Sequence, residues 1–204
     1  MSASIRMGLP ADAEQIAAIY APFCLQTAVS FEEIAPSPAE MAQRIRDITE
    51  RYPWLVLDDA GRIAGYVYAS QHRSRAAYRW SVDVTAYVAP EFRRRGVGRA
   101  LYTALFQLLT LQGYFRAYAG VALPNPASIS LHESLGFPTV GTYRRVGYKL
   151  GAWHDVRWLE LALQPERPNP PQPQTVPDVA ATPAWVRALA TGLACFTPAP
   201  PTHA

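Results

Sequence analysis

Lysine is almost missing from this chain: of nineteen basic residues all but Lys149 are arginine. The formal net charge of +3 is spread along the sequence, which suits anionic small molecules better than the wrapping of a nucleic acid. Cysteine is scarce as well. Cys24 and Cys195 stand far apart, which speaks for a reducing, cytoplasmic setting and against a disulfide framework. No apolar run approaches the ~18 residues of a membrane span, and the opening MSASIRMGLP has no apolar signal core, so a soluble protein with no membrane partner is expected. No metal is expected either. A phosphate-binding Gly-Lys-Ser/Thr loop is absent. The fingerprint G-x-G-x-x-G fails because Leu101 stands where a small residue is needed. No internal repeat is visible.

What is present is a chain of 204 residues, half of them hydrophobic, enough for one well-buried domain with an appendage. Residues 5–9 read as a short strand. A helix follows, opened by Pro10 with Asp12 as its N-cap. Residues 27–38 are loop-like, and Phe31 and Ile34 there are either core plugs or the lining of a substrate pocket. A second helix is expected over 39–51. Strands at 54–57 and 62–70 are joined by a hairpin turn at 58–61. The segment His72 to Arg79, HRSRAAYR, is either a solvated loop or a binding element. Guanidinium forks at Arg73 and Arg75 suit an anionic substrate.

The organising stretch is 80–109. Trp80, Val82, Val84, Ala86 and Val88 alternate with Ser81, Asp83, Thr85 and Tyr87, as in a strand buried on one face. Pro90 stops it. The turn Arg93-Arg94-Arg95-Gly96-Val97-Gly98-Arg99 leads into a helix striped by Ala100, Leu101, Ala104, Leu105, Leu108 and Leu109. Strand, basic glycine turn and helix make an anion site, because the first helical N–H groups lack partners and the helix dipole favours negative charge there. Beyond it, a strand is expected over 114–123, a helix from Asn125, and two strands over 137–143 and 156–163. The loop 146–155 between them is unusually aromatic.

From Pro165 the composition changes: ten of nineteen prolines lie in the last forty residues. Residues 165–183 read as a disordered or polyproline-like arm. Residues 184–196 have the pattern of a short helix that would need a surface to dock on. The expected division is therefore a domain at 1–164 and a tail at 165–204.

Arg93-x-x-Gly96-x-Gly98 resembles the Gln/Arg-x-x-Gly-x-Gly/Ala turn of the GNAT acetyltransferases. Asn125-Pro-Ala-Ser128 with Leu131-His-Glu-Ser-Leu-Gly-Phe137 is similar to their last cofactor-binding segment, in the histidine variant of the phosphinothricin N-acetyltransferase family. Tyr52-Pro-Trp-Leu-Val56, Arg75-Ala-Ala-Tyr78-Arg-Trp80 and Gly147-Tyr-Lys-Leu-Gly-Ala-Trp-His-Asp-Val156 resemble that family in the same order, from about residue 4 to 164.

The resemblance implies an α+β fold, a mixed twisted sheet flanked by helices and splayed where acetyl-CoA enters. It implies acetyl transfer to the α-amino group of phosphinothricin, methionine sulfoximine or sulfone, or a related acceptor, a link to herbicide resistance, and a homodimer. It makes Asp83 the general base, one methylene shorter than the family's glutamate. It places His132 near the thiolate, as acid, second base or packing group. Ala86, Tyr87 and Val88 would meet the pantetheine arm. Arg93, Arg94, Arg95, Gly96, Val97, Gly98 and Arg99 would meet the pyrophosphate, and Asn125 and Ser128 the cofactor arm. Phe31, Arg73, Arg75 and Tyr78 would face the substrate. A non-catalytic acyl-CoA-binding regulator and an acetyltransferase for another amino acid, amine or peptide N-terminus are the alternatives.

Overall fold

The computed structural model describes residues 3–180 and 182–198. Its centre is a seven-stranded mixed sheet in the order β1-β2-β3-β4-β5-β7-β6. β1 (Ser4–Met7), β2 (Trp54–Asp59), β3 (Arg62–Gln71) and β4 (Ser81–Val88) form an antiparallel half. β5 (Arg116–Ala122) pairs with β4 in parallel, and β7 (Ala152–Ala162) and β6 (Thr139–Lys149) follow antiparallel. The helices are α1 (Ala13–Gln26), α2 (Pro38–Thr49), α3 (Val97–Gln112), α4 (Pro126–Ser134), the single turn α5 (Val176–Val179) and α6 (Pro183–Leu193). This is the expected α+β sheet flanked by helices.

Local chemistry sets most boundaries. Ser37 and Glu40 close a capping box on α2, satisfying two orphan N–H groups. The β2–β3 turn carries left-handed residues Ala60 and Gly61, the geometry that matches strand twist in a tight hairpin. In β4 the alternation of burial holds over the first half of the strand. Val82 and Val84 are buried, while Tyr87 packs its ring 4.8 Å from that of Tyr20 in α1. Gly65 of β3 stands where a Cβ would meet Val97 of α3 at 2.9 Å, so α3 covers the face opposite α1.

Three expectations need correction. Asp12 does not cap α1 with its side chain; its carboxylate accepts from the Leu9 amide at 2.8 Å and binds Arg6 of β1, because a half-buried guanidinium is the stronger partner. Residues 146–155 are not a loop. They are the tip of a long β6–β7 hairpin that turns at Leu150 and Gly151, both with positive φ. Its register shifts twice, between Thr139 and Gly141 and between Tyr143 and Gly147, and the second shift breaks the strict alternation that marks a strand.

The third correction is the tail. In the arm 165–183, residues 165–180 are laid along the domain. Trp80 Nε1 donates to Pro171 O at 2.8 Å, and Gln174 N donates to Gln112 O at 2.8 Å. α5 buries Val176 and Val179, and α6 buries Trp185 and Ala188. The helix expected within the tail is α6, and its dock is α3: Gly192 comes so close that a Cβ would meet Ala104 Cβ at 2.7 Å. Proline cannot join a ladder, but its carbonyl still accepts, and apolar residues spaced along the tail supply the burial.

The consequence is measurable. Trp185→Ala should cost about 3 kcal/mol, lowering Tm by about 6 to 12 °C, and a chain ending at Gln164 should lose more. An unchanged Tm in the shortened chain would show that the docked tail contributes nothing.

Candidate active site

β4 and β5 pair only at Ser81–Arg116, Val82–Ala117 and Asp83–Tyr118. Past Asp83 they part. The opening is lined by Val84 to Tyr87 on one side and Ala119 to Ala122 on the other, with Tyr102 of α3 and Asn125, Ser128 and His132 of α4 closing it. Thr85, Ala86, Tyr87 and Val88 keep their antiparallel partners in β3, so their second backbone edge faces the gap.

Two groups of unpartnered N–H donors lie on the helices beside this gap. At the start of α3, Arg94 (φ 63) and Gly96 (φ 78) are both left-handed. Arg94 adopts this without being glycine, a strain that collects at functional turns. The turn leaves the amides of Val97, Gly98 and Arg99 as the first, unpartnered N–H groups of α3. Gly98 faces α4: a Cβ there would meet Leu131 at 2.8 Å. Arg99 reaches the same helix, donating to Ser134 Oγ at 2.8 Å. On α4, Asn125 Oδ1 caps the helix by accepting from Ser128 N at 3.2 Å, which leaves the amide NH₂ of Asn125 for the cleft it lines.

The three arginines of the turn do different things. Arg93 lies over the Phe23 ring at 5.9 Å, and Arg94 is exposed. Arg95 is committed to the fold. Its guanidinium sits between the rings of Phe92 and Phe196, 4.8 and 5.0 Å from their centres, and reaches Asp59 at 3.1 Å and Thr197 O at 3.3 Å. Thr197 N returns a bond to Arg95 O at 3.1 Å. Only the backbone of Arg95 is left for an anion; its charge is spent on Asp59.

Asp83, at the apex of the split, is bound to His72, with Nδ1 and Oδ1 2.7 Å apart. Burial raises the Asp83 carboxyl above its ordinary range, opposed by the hydrogen bond from His72 and the charges of His72 and Arg73. His72 itself stacks on Tyr118 at 4.4 Å and meets Tyr78 edge-on at 5.8 Å. Arg73 lies over Trp158 at 5.9 Å. Asp83, Arg73 and Tyr78 thus share one neighbourhood. Arg75 stays exposed on the turn that leads to Tyr78. Phe31 belongs to another group: it packs where Gly147 of β6 has no side chain, beside His154.

His132 is buried between Tyr102 and Phe137. Its Nδ1 meets the Ser128 carbonyl at 2.8 Å, which can only accept, so Nε2 accepts from the Tyr102 hydroxyl at 3.1 Å. Burial lowers its pKa below the ordinary 6.5, so the resting ring is neutral. Tyr102 and His72 are absent from the residues singled out in the sequence. Tyr102 could have been found from its helical spacing to Phe106, and His72 by extending the β3 alternation from Ser70, the partner of Asp83.

A strand pair that splits beside a glycine turn at a helix start defines an acyl-CoA-dependent transferase, and the comparisons agree. The family model for the acetyltransferase (GNAT) domain matches residues 5–158. The chain belongs to the GNAT acetyltransferases. It is 37% identical over 169 residues to a phosphinothricin N-acetyltransferase of Streptomyces viridochromogenes, covering 83% of this chain and 91% of that one. It is 35% identical over 175 residues to an L-methionine sulfoximine/L-methionine sulfone acetyltransferase of Pseudomonas aeruginosa, covering 83% of this chain and all of that one. The crystal structure of a GNAT superfamily phosphinothricin acetyltransferase from Sinorhizobium meliloti in complex with acetyl-CoA superimposes with a TM-score of 0.79. That pair is 36% identical and covers 88% of this chain and 98% of the other. Among the described residues no helix is long and apolar enough to cross a membrane, and no cluster of three or more His, Cys, Asp or Glu is gathered for a metal ion.

The His132 environment predicts a pH effect. With its folded pKa depressed, the unfolded chain binds more protons just below 6.5, so this group's contribution to stability is full above that value and is lost as pH falls towards the folded value. His132→Gln should therefore flatten the fall in Tm on acidification from about pH 7.5 to about 5.5. An unchanged slope would contradict a buried neutral imidazole.

Proposed function

We propose that this chain transfers acetyl from acetyl-CoA to the α-amino group of a small amino-acid-like acceptor of the phosphinothricin or methionine sulfoximine/sulfone kind. The observation that carries the reading is the β4–β5 cleft that ends on Asp83. The residues present fit the co-substrate. The α3 amides with Arg93, Arg94 and Arg99 suit a pyrophosphate, the free strand edge of Ala86, Tyr87 and Val88 suits the amides of a pantetheine arm, and Asn125 and Ser128 flank it. When bound there, acetyl-CoA supplies the thioester carbonyl that an amine attacks and a sulfur that leaves with the electron pair of the broken C–S bond.

The protein's own share is proton handling and positioning. An ammonium must lose a proton before it can attack, and the basic function sits at the apex of the cleft, where Asp83 stands. His132 orients the Tyr102 hydroxyl in the cleft wall. Arg73, with Arg75 and Tyr78 at the rim, suits the acceptor's anionic groups. Phe31 contributes an apolar wall from the β6–β7 side. Residues 1–164 carry the chemistry, and the described residues of the tail brace it. Two copies pairing through the β6–β7 hairpin are supported by its exposed apolar side chains, Tyr143, Val146, Tyr148, Leu150 and Trp153 among them, a patch of the kind that marks protein interfaces.

A thiol-release assay with acetyl-CoA tests the reading directly. Phosphinothricin, methionine sulfoximine and methionine sulfone should be turned over, and ordinary amino acids more slowly. Asp83→Asn should lower the rate by about a hundred- to ten-thousandfold with acetyl-CoA affinity nearly intact. Full turnover by this variant would remove Asp83 from the chemistry.

A further inference from the structure

Asp83 is short for the task assigned to it, and it does not stand alone. The resemblance puts a glutamate at this position; the aspartate ends one methylene earlier. The missing reach is filled by His72, which follows β3 and lies on the sheet face of Asp83 because Ser70, two residues earlier, pairs with Asp83.

We propose that His72 and Asp83 act as a catalytic dyad, in which His72 Nε2 takes the proton of the acceptor ammonium and Asp83 fixes the ring through Nδ1. This rests on the N-acetyltransferase reading and assigns its proton-accepting atom. The first argument is geometric. Nδ1 and Oδ1 are 2.7 Å apart, and an ionised carboxylate only accepts, so Nδ1 carries the hydrogen and the lone pair is on Nε2. Nε2 has no hydrogen-bond partner among the described residues.

The second argument is rigidity. Tyr118 stacks on the ring with an interplanar angle of 17°, and Tyr78 and Trp158 meet it edge-on at 5.8 and 6.3 Å. A ring held by three aromatic neighbours and a carboxylate is oriented before the acceptor arrives. The third argument is place. Tyr118 and Asp83 are the last residues to pair before β4 and β5 separate, so the dyad sits where the cleft begins.

The charge balance of the step is simple. One N–H bond of the ammonium breaks, its electron pair stays on nitrogen, and the proton goes to Nε2. The resulting imidazolium is stabilised by the Asp83 carboxylate on its other side, then returns its proton to water. Among ordinary side chains an imidazole is a stronger base than a carboxylate. The cation of Arg73, close enough to act on Asp83, favours release of the proton once transfer is done.

The test uses the full chain and three variants. His72→Phe keeps the stack on Tyr118 without a nitrogen, and His72→Ala opens a space for added imidazole. Both should lose kcat about a hundredfold or more, with acetyl-CoA Kd unchanged by calorimetry. Imidazole should restore turnover in His72→Ala and not in His72→Phe. The double variant His72→Phe with Asp83→Asn should be no slower than either single one, as for groups acting as a unit. Single variants within about threefold of wild type would overturn the dyad and leave Asp83 as the sole base. If the wild type itself acetylates no acceptor, the activity reading fails, and nitrogen NMR still decides the pair. The wild type should show the Nδ1–H tautomer of His72, and Asp83→Ala should lose it. The same tautomer in both would overturn the pairing.

Discussion

Everything functional in this molecule depends on one failure of pairing. β4 and β5 run parallel for three residue pairs and then separate, which leaves the far half of β4 with a bare edge inside the fold. A buried bare edge is costly, since unpaired backbone groups lose their water without gaining a partner. Here the cost is tolerated because β4 is anchored on its other edge all along the separated half and back to Val82, from Gly65–Val88 to Gln71–Val82. Val82 and Val84 fasten the same strand to the helix layer. The split therefore exposes hydrogen-bonding groups on a rigid wall, the arrangement a linear, amide-bearing arm can complete.

The turn that follows β4 is held from two sides. On one, Gly98 and Arg99 meet α4 through Leu131 and Ser134. On the other, the C-terminal segment lies against Gly96, where a Cβ would collide with the Cys195 carbonyl, and clasps Arg95 with paired backbone and side-chain bonds. An arginine sandwiched between two phenylalanines and bonded to Asp59 is a fixed strut. Its neighbours Arg93 and Arg94 keep their charge outside that cluster. A tail dominated by proline thus shares in shaping the segment that starts α3.

Much of this was legible in the sequence, for physical reasons that differ by residue. The stretch from Trp80 to Leu109 reads correctly because its signals are local: a period of two, a proline stop, two glycines and a period of three to four. The capped start of α4 at Asn125 is local too. His72 and Arg95 were harder. The role of His72 depends on strand register across a loop, and that of Arg95 on Phe92, Asp59 and Phe196, which only the fold brings together. Three consecutive arginines look alike in sequence; their neighbours separate them. The β6–β7 tip was hidden by its bulge at Tyr143–Gly147. The tail was misread because composition reports what proline cannot do and says nothing of the docking face offered by α3.

The central claim is that the gap between β4 and β5, together with the first turn of α3, is where acetyl-CoA lies. Amide hydrogen exchange with and without acetyl-CoA reads both segments at once. Protection should rise at Thr85 to Val88 and at Val97 to Arg99, the unpaired strand edge and the first helical amides. Acetyl-CoA binding that leaves both segments unprotected, with protection appearing elsewhere, would contradict the account.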